Sequence, residues 1–385
     1  MPLQNWTVYA FETTTGRIAA EIPFINVCQF EYGLNNVGTG TVTVPLGGNG
    51  ISTADINELT QPWRWSWAIA YKQFICQAGP VISEQMTDTQ PYTQVTFGGI
   101  WKLFSKRILF PSTFTSGTNP AVTAADTQYT GLTYLQMASN IVGTSIARGA
   151  VPIVLPPTDP PGSSTIQYYG YDMDLVADML TNLTGLVNGP EIEFRPQFSP
   201  TQPNYIQWLM RVGSPRLGQI GSSWAFDYGP RGSIQQMDFT RDGSQMTFSD
   251  YLRGSGSQYD LVVGNGQDLG LVAAGYPLLE DVNGDHTTVV DQPTANSYAQ
   301  QWCDTYQYPV NSPDVLIRVD ALDLSGQLTG SPTLDQIAVG DTATFTIQAH
   351  RRIPEGTYTY RIVQIDNGTS YDNVKITLQP VTGVS

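Results

Sequence analysis

Any Ser-His-Asp or Cys-His nucleophilic arrangement in this chain must use His286 or His350, since there are only two histidines. His350 precedes Arg-Arg-Ile-Pro at a predicted strand end and reads as a turn residue. His286 lies in an acidic turn, and no Gly-x-Ser-x-Gly elbow occurs. The oxygen-bearing residues Asp281, Asn283 and Asp285 alternate as they do in a calcium loop. The glycine falls two places early for that loop, and no glutamate closes it, so the same residues also fit an Asx-type turn. Glu191, Glu193 and Asp227 are carboxylates that a glycoside hydrolase would pair, but spacing in sequence does not set their separation in space. Gly264 to Gly270, "GNGQDLG", misses a dinucleotide fingerprint by one position and has no βαβ unit around it. Trp63, Trp65 and Trp67 alternate, so a strand would put all three on one face, fit for core packing, subunit contact or a sugar platform.

These residues need elements to hold them. Over residues 1–110 the pattern has period two, as in "NWTVYAFE", with Trp6, Val8 and Ala10 on one face. "ISTADINELTQ" predicts a short helix capped by Ser52 or Thr53. The aromatic run "WSWAIAYKQFICQAG" predicts a hairpin, with Pro80 at a strand start or edge. Residues 111–190 form a mixed helical insert with two helices. One has Leu132, Leu135, Ala138, Val142 and Ile146 on its apolar face and stops at Gly149. The other is capped by Asp172 or Asp174 and lined by Leu175, Met179 and Leu183. Strands return over 191–254 and again over 314–385. Between them, residues 255–313 form a second insert whose helix carries Ala295, Tyr298, Ala299, Trp302 and Tyr306 on one face. A turn at "DNGTS" joins the last two strands.

Charged residues are 13%, about half the usual share, while glycine (37) and proline (26) are plentiful. This suits a β-rich protein with covered or neutral-polar surfaces. A net charge of −15 argues against a nucleic-acid-binding face, yet allows an acidic passage through which DNA slides. Cys28, Cys76 and Cys303 are too few and too scattered for a disulfide framework or a zinc site. The N-terminus lacks a signal-peptide pattern, and no apolar run is long enough for a membrane span.

Three stretches together resemble the hub family of bacteriophage tail tips, the minor tail proteins of long-tailed actinobacteriophages. The first is Gly79, Pro80 and Val81, then Gly98 or Gly99, followed by Trp101, Leu103 and Arg107. The second is "YLRGSGSQ", Tyr251 to Gln258. The third is Gly340 and Asp341 leading a strand, with Arg361 and Leu378 in the two that follow. The resemblance implies a mainly β fold with α inserts, built as two tail-tube-like β-barrel domains, 1–110 and 191–254 with 314–385, each carrying a smaller insert. It also implies a homotrimeric ring at the tail tip of the virion, assembled in the host bacterial cytoplasm. Its partners would be the distal tail protein ring, the tape measure protein and receptor-binding proteins. The ring would open for DNA ejection and would need no cofactor, metal or catalytic residue. With the chain stopping just after the last strand, no enzyme is expected. The alternatives are a carbohydrate-binding host-attachment protein, or a cell-wall hydrolase acting through carboxylates such as Glu191 or Glu193.

Overall fold

The computed structural model describes every residue except 1–4, 48–49, 159, 187, 220–223, 230–231, 257, 286–288, 319–332, 349, 368–372 and 381–385. His286 and Gly368 to Ser370 of the "DNGTS" turn therefore lie outside the described residues. The N-terminal strands are β1 (Trp6–Glu12), β2 (Ile18–Ile22), β3 (Ile25–Gly33), β4 (Thr39–Pro45), β5 (Trp65–Tyr71), β6 (Phe74–Met86) and β7 (Tyr92–Gly98). Helix α1 (Thr53–Leu59) interrupts them, and the Ser52 hydroxyl caps it by accepting from the Asp55 amide at 3.1 Å.

Strand β5 is buried on both faces. Trp65, Trp67, Ile69 and Tyr71 enter the main core, and Ala68 and Ala70 enter a second, smaller one. The residues on that second face are small because Trp208 packs against them from another layer. The Trp67 indole N–H finds an acceptor in the Leu59 carbonyl at 2.9 Å, as a buried indole requires. Trp63 has φ +66° and precedes the strand, so it does not share the face of Trp65 and Trp67.

Strand β6 serves two ladders. Up to Pro80 it pairs with β5, and from Val81 it pairs with β7. Pro80 thus sits inside the strand rather than at its start or edge. It lies at the changeover, where the missing N–H interrupts neither ladder. A Cβ on Gly79 would lie 1.8 Å from the Gly98 carbonyl oxygen, so only glycine permits this crossing.

The first insert holds α2 (Trp101–Phe104), β8 (Thr127–Leu132), α3 (Tyr134–Ala147), β9 (Ile153–Val154), β10 (Ser164–Tyr168) and α4 (Val176–Thr184). Thr133 and Gln136 form a capping box that starts α3 one residue after Leu132, which belongs to β8. The buried stripe is accordingly Met137, Ala138, Ile141 and Val142. Helix α4 is not capped by Asp172 or Asp174. Its N-cap is Leu175, and the Arg107 carbonyl accepts the Val176 amide at 2.9 Å instead.

The remaining strands are β11 (Ile192–Phe198), β12 (Ile206–Val212), β13 (Trp224–Tyr228), β14 (Ile234–Asp242), β15 (Ser249–Arg253), β16 (Val263–Gln267), β17 (Glu280–Asp285), β18 (Val310–Arg318), β19 (Thr342–Ile347), β20 (Gly356–Asn367) and β21 (Asn373–Pro380). Helices α5 (Gly270–Ala273) and α6 (Gln292–Tyr306) complete the chain. The segment 191–254 does not stay in one sheet. β11 and β12 join β9, while β15 pairs with β16 and β17. Strand β13, which the sequence pattern missed, pairs in parallel with β19.

The fold is mainly β with α inserts, as expected. The N- and C-terminal strand regions share one 13-stranded sheet running β14-β18-β21-β20-β3-β4-β7-β6-β5-β1-β2, with β19 and β13 branching from β20. The join is β3 against β20, with Tyr32 opposite Ile365. The main core spans it, bringing Trp67 and Phe97 together with Phe226, Phe345 and Ile376. Among the described residues the sheet does not close on itself.

Candidate functional site

The residues that carried the resemblance are junctions between layers. Trp101 is buried and meets the Phe194 ring edge-on at 5.7 Å, tying α2 to β11. Arg107 donates from Nη1 to the Ser145 carbonyl at 3.2 Å. Burial, helped by the nearby Arg148 charge, pulls its pKa down. Gly149 is small because the Arg107 guanidinium lies against it.

Gly340, Asp341 and Arg361 build a second junction. Gly340 has φ +90°, which turns its carbonyl toward Arg361 Nε at 2.9 Å. Arg361 is 5% exposed and also donates to the Leu217 carbonyl at 3.2 Å. Its two Nη atoms take both carboxylate oxygens of Glu191, 170 residues earlier. Glu191 in turn accepts the Leu217 amide at 2.8 Å. One guanidinium thus pins the connector ahead of β11, the 213–218 loop and the turn before β19 to β20.

The residues read as possible catalysts are held in structural roles. Glu193 is buried and paired with Arg211; burial raises its pKa while Arg211 and Arg195 oppose the rise. Asp227 is exposed on β13. His350 is a turn residue whose Nδ1 accepts the Ile353 amide at 3.0 Å. Gly264 and Gly266 do not form a phosphate loop. A Cβ on either would strike the backbone of α6 at Ala295 or Ala299, so these glycines let the helix lie directly on β16. Asp281 and Asn283 belong to strand β17 rather than to a turn, and Asp281 accepts the Trp302 indole N–H at 3.3 Å. No group of three or more His, Cys, Asp or Glu side chains placed to hold a metal occurs among the described residues. Trp65 and Trp67 lie inside this chain's own core, unavailable to a sugar or a subunit face, and Trp63 is half-buried.

Two features escaped sequence reasoning. Asp250 on β15 is fully buried, and its carboxylate oxygens make no well-formed hydrogen bond, the backbone amides of Asn283 and Tyr251 being the nearest donors. Burial, with the neighbouring Asp281 charge, pushes its pKa up to about 6. The only sequence signal is an acidic residue at an inward position opposite Gly266. The other feature is the pair of sheet ends. β14 pairs only with β18, and β2 pairs only with β1 among the described strands. His350 Nε2 lies 3.4 Å from the Met237 carbonyl and covers one point of the β14 edge. Unpaired strand edges are templates for a neighbouring chain.

No family model and no curated protein matches this sequence. Solved structures do match. A tail protein from Neisseria meningitidis is 10% identical, with 98% of this chain and 97% of that one covered and a TM-score of 0.55. The 43 kDa tail protein of prophage MuSo2 from Shewanella oneidensis is also 10% identical, with 97% and 98% covered and a TM-score of 0.56. At the level of fold, the resemblance to phage tail proteins is borne out over nearly the whole chain.

Proposed function

We propose that this chain is a structural hub of a bacteriophage tail tip. The observation that carries the reading is the end-to-end likeness in fold to two tail proteins, one of them from a prophage. Three copies form a homotrimeric ring that caps or continues the tail tube, and the edge strands β2 and β14 at opposite ends of one sheet, covered at one point each, by Asn204 and by His350, suit head-to-tail contacts between copies. The ring binds the distal tail protein ring and the end of the tape measure protein, and it anchors receptor-binding proteins. It opens for DNA ejection, and a net charge of −15 suits a passage from which DNA is repelled rather than held. The role is mechanical rather than enzymatic, and the site of action is the virion.

The test is the mass of the purified chain by light scattering, alone and mixed with the distal tail ring protein of the same phage. A trimer, or a monomer that becomes trimeric on the ring, is expected. A monomer that ignores the ring overturns the proposal. The hydrolase alternative has little support, because Glu191 and Glu193 are each bound by an arginine.

A further inference from the structure

A groove of about 520 Å3 runs between the two inserts, within the roughly 300–1,000 Å3 range of small-molecule sites. One wall is the C-terminal end of α4, with Thr181, Asn182 and Thr184; the other is α6, with β17 at its base. Helix α6 divides its faces sharply. Ala295, Ala299 and Cys303 are buried against the sheet, while Tyr298, Trp302 and Tyr306 turn to the groove. The Trp302 and Tyr306 rings lie 4.4 Å apart, one helical turn from each other. The bond from the Trp302 indole to Asp281 fixes the orientation of that ring. The polar side chains along the groove are amides and hydroxyls, Asn182, Gln301 and Thr305 among them, and no charged side chain lines it.

We infer that this groove is a binding site for a neutral saccharide. Aromatic faces take the C–H faces of a sugar ring, and neutral amides and hydroxyls both donate and accept, as sugar hydroxyls do. Anionic ligands are repelled: residues 254–317 contain eight acidic residues and no lysine or arginine. The inference does not rest on the hub reading, because the groove is formed within one chain and binding is read on that chain alone.

Isothermal calorimetry of the full chain with chitotriose, maltotriose and mannotriose, plus a heparin tetrasaccharide as anionic control, tests it. At least one neutral trisaccharide should bind with a Kd below about 10 mM, and heparin should not. Trp302→Ala should weaken binding at least about tenfold, the loss of roughly 1.4 kcal/mol. Should that variant fail to fold, Asn182→Ala/Gln301→Ala, at two exposed positions, carries the test with an expected loss of about threefold or more. Silence from all three neutral probes up to about 10 mM overturns the inference. So does binding unchanged in the folded variants, or heparin binding as tightly as the neutral sugars.

Discussion

Arg361→Met removes the guanidinium of the buried junction and keeps much of its volume. What remains is a Glu191 carboxylate that has lost both charged bonds and two carbonyls, of Gly340 and Leu217, that have lost their donor. Breaking a buried pair from one side costs about 3–5 kcal/mol, because the surviving charge stays desolvated. At about 2–4 °C of Tm per kcal/mol, the loss is roughly 6–20 °C, read by thermal unfolding followed by tryptophan fluorescence. Removing both charges should be milder than removing one, so Arg361→Met/Glu191→Leu should regain at least half of the loss. Hydrogen exchange supplies a local readout, since the Gly340 and Ile362 amides, bonded to Ile362 and Asp341, should lose protection first. A single variant within about 1 kcal/mol of the parent would refute the clamp. A double variant no better than the single one would show that Arg361 acts through packing rather than through its charge.

Three further outcomes follow from particular contacts. Asp250 holds its proton to about pH 6 in the folded chain, against an ordinary 3.8, so its contribution to stability is full below about pH 4 and is lost as pH rises through 6. Asp250→Asn should therefore raise Tm at pH 7.5, by about 1–2 kcal/mol of stability, and change little at pH 4; thermal scans at the two pH values check this. Gly266→Ala would put a Cβ 2.2 Å from the Ala299 carbonyl carbon and force α6 off β16. It should cost about 1–3 kcal/mol and speed proteolysis within 255–313, whereas Gly284→Ala, with open space around it, should be neutral. Thr133→Ala removes one half of the α3 capping box and should cost about 1 kcal/mol in urea unfolding.

What was legible in the sequence was local. Alternation found β1, β5 and β19, because each buries one face or both against a core close at hand. Helix α6 was legible from its apolar spacing, while its start signals, Asp291 and Pro293, went unread. Its two apolar faces were not told apart, since Ala295 and Trp302 look equally apolar until the glycines of β16 choose the smaller side. The sheet partners were not legible. β3 pairs with β20 more than 300 residues later, β13 finds β19 in parallel, and the clamp joins positions 170 apart. No short-range pattern encodes such pairings. Trp63 was misplaced for a related reason: strict alternation runs through it, but the backbone there is left-handed and the strand has not begun.

The abundance of glycine and the scarcity of charge have one physical source in this fold. Its layers touch at places where backbone meets backbone or an aromatic ring. Gly79 admits the Gly98 carbonyl, Gly40 makes room for the Phe97 ring, and Gly264 and Gly266 admit α6. Each contact needs a residue without a side chain, and the one at Gly40 is closed by the fully buried Phe97. Lysine or glutamate at such positions would bury a charge that few sites here could pair. Where charge does enter the interior, as at Arg361 and Arg211, a carboxylate meets it, and it marks a junction between segments distant in sequence. Asp250 is an exception, a buried carboxyl beneath α6 next to a second acid, and Arg107, which meets the Ser145 carbonyl, is another. The same contacts set where change is tolerated. Substitutions at the crossing points should disturb the layers, while the neutral amides and hydroxyls of the groove between the inserts can vary without disturbing any of them.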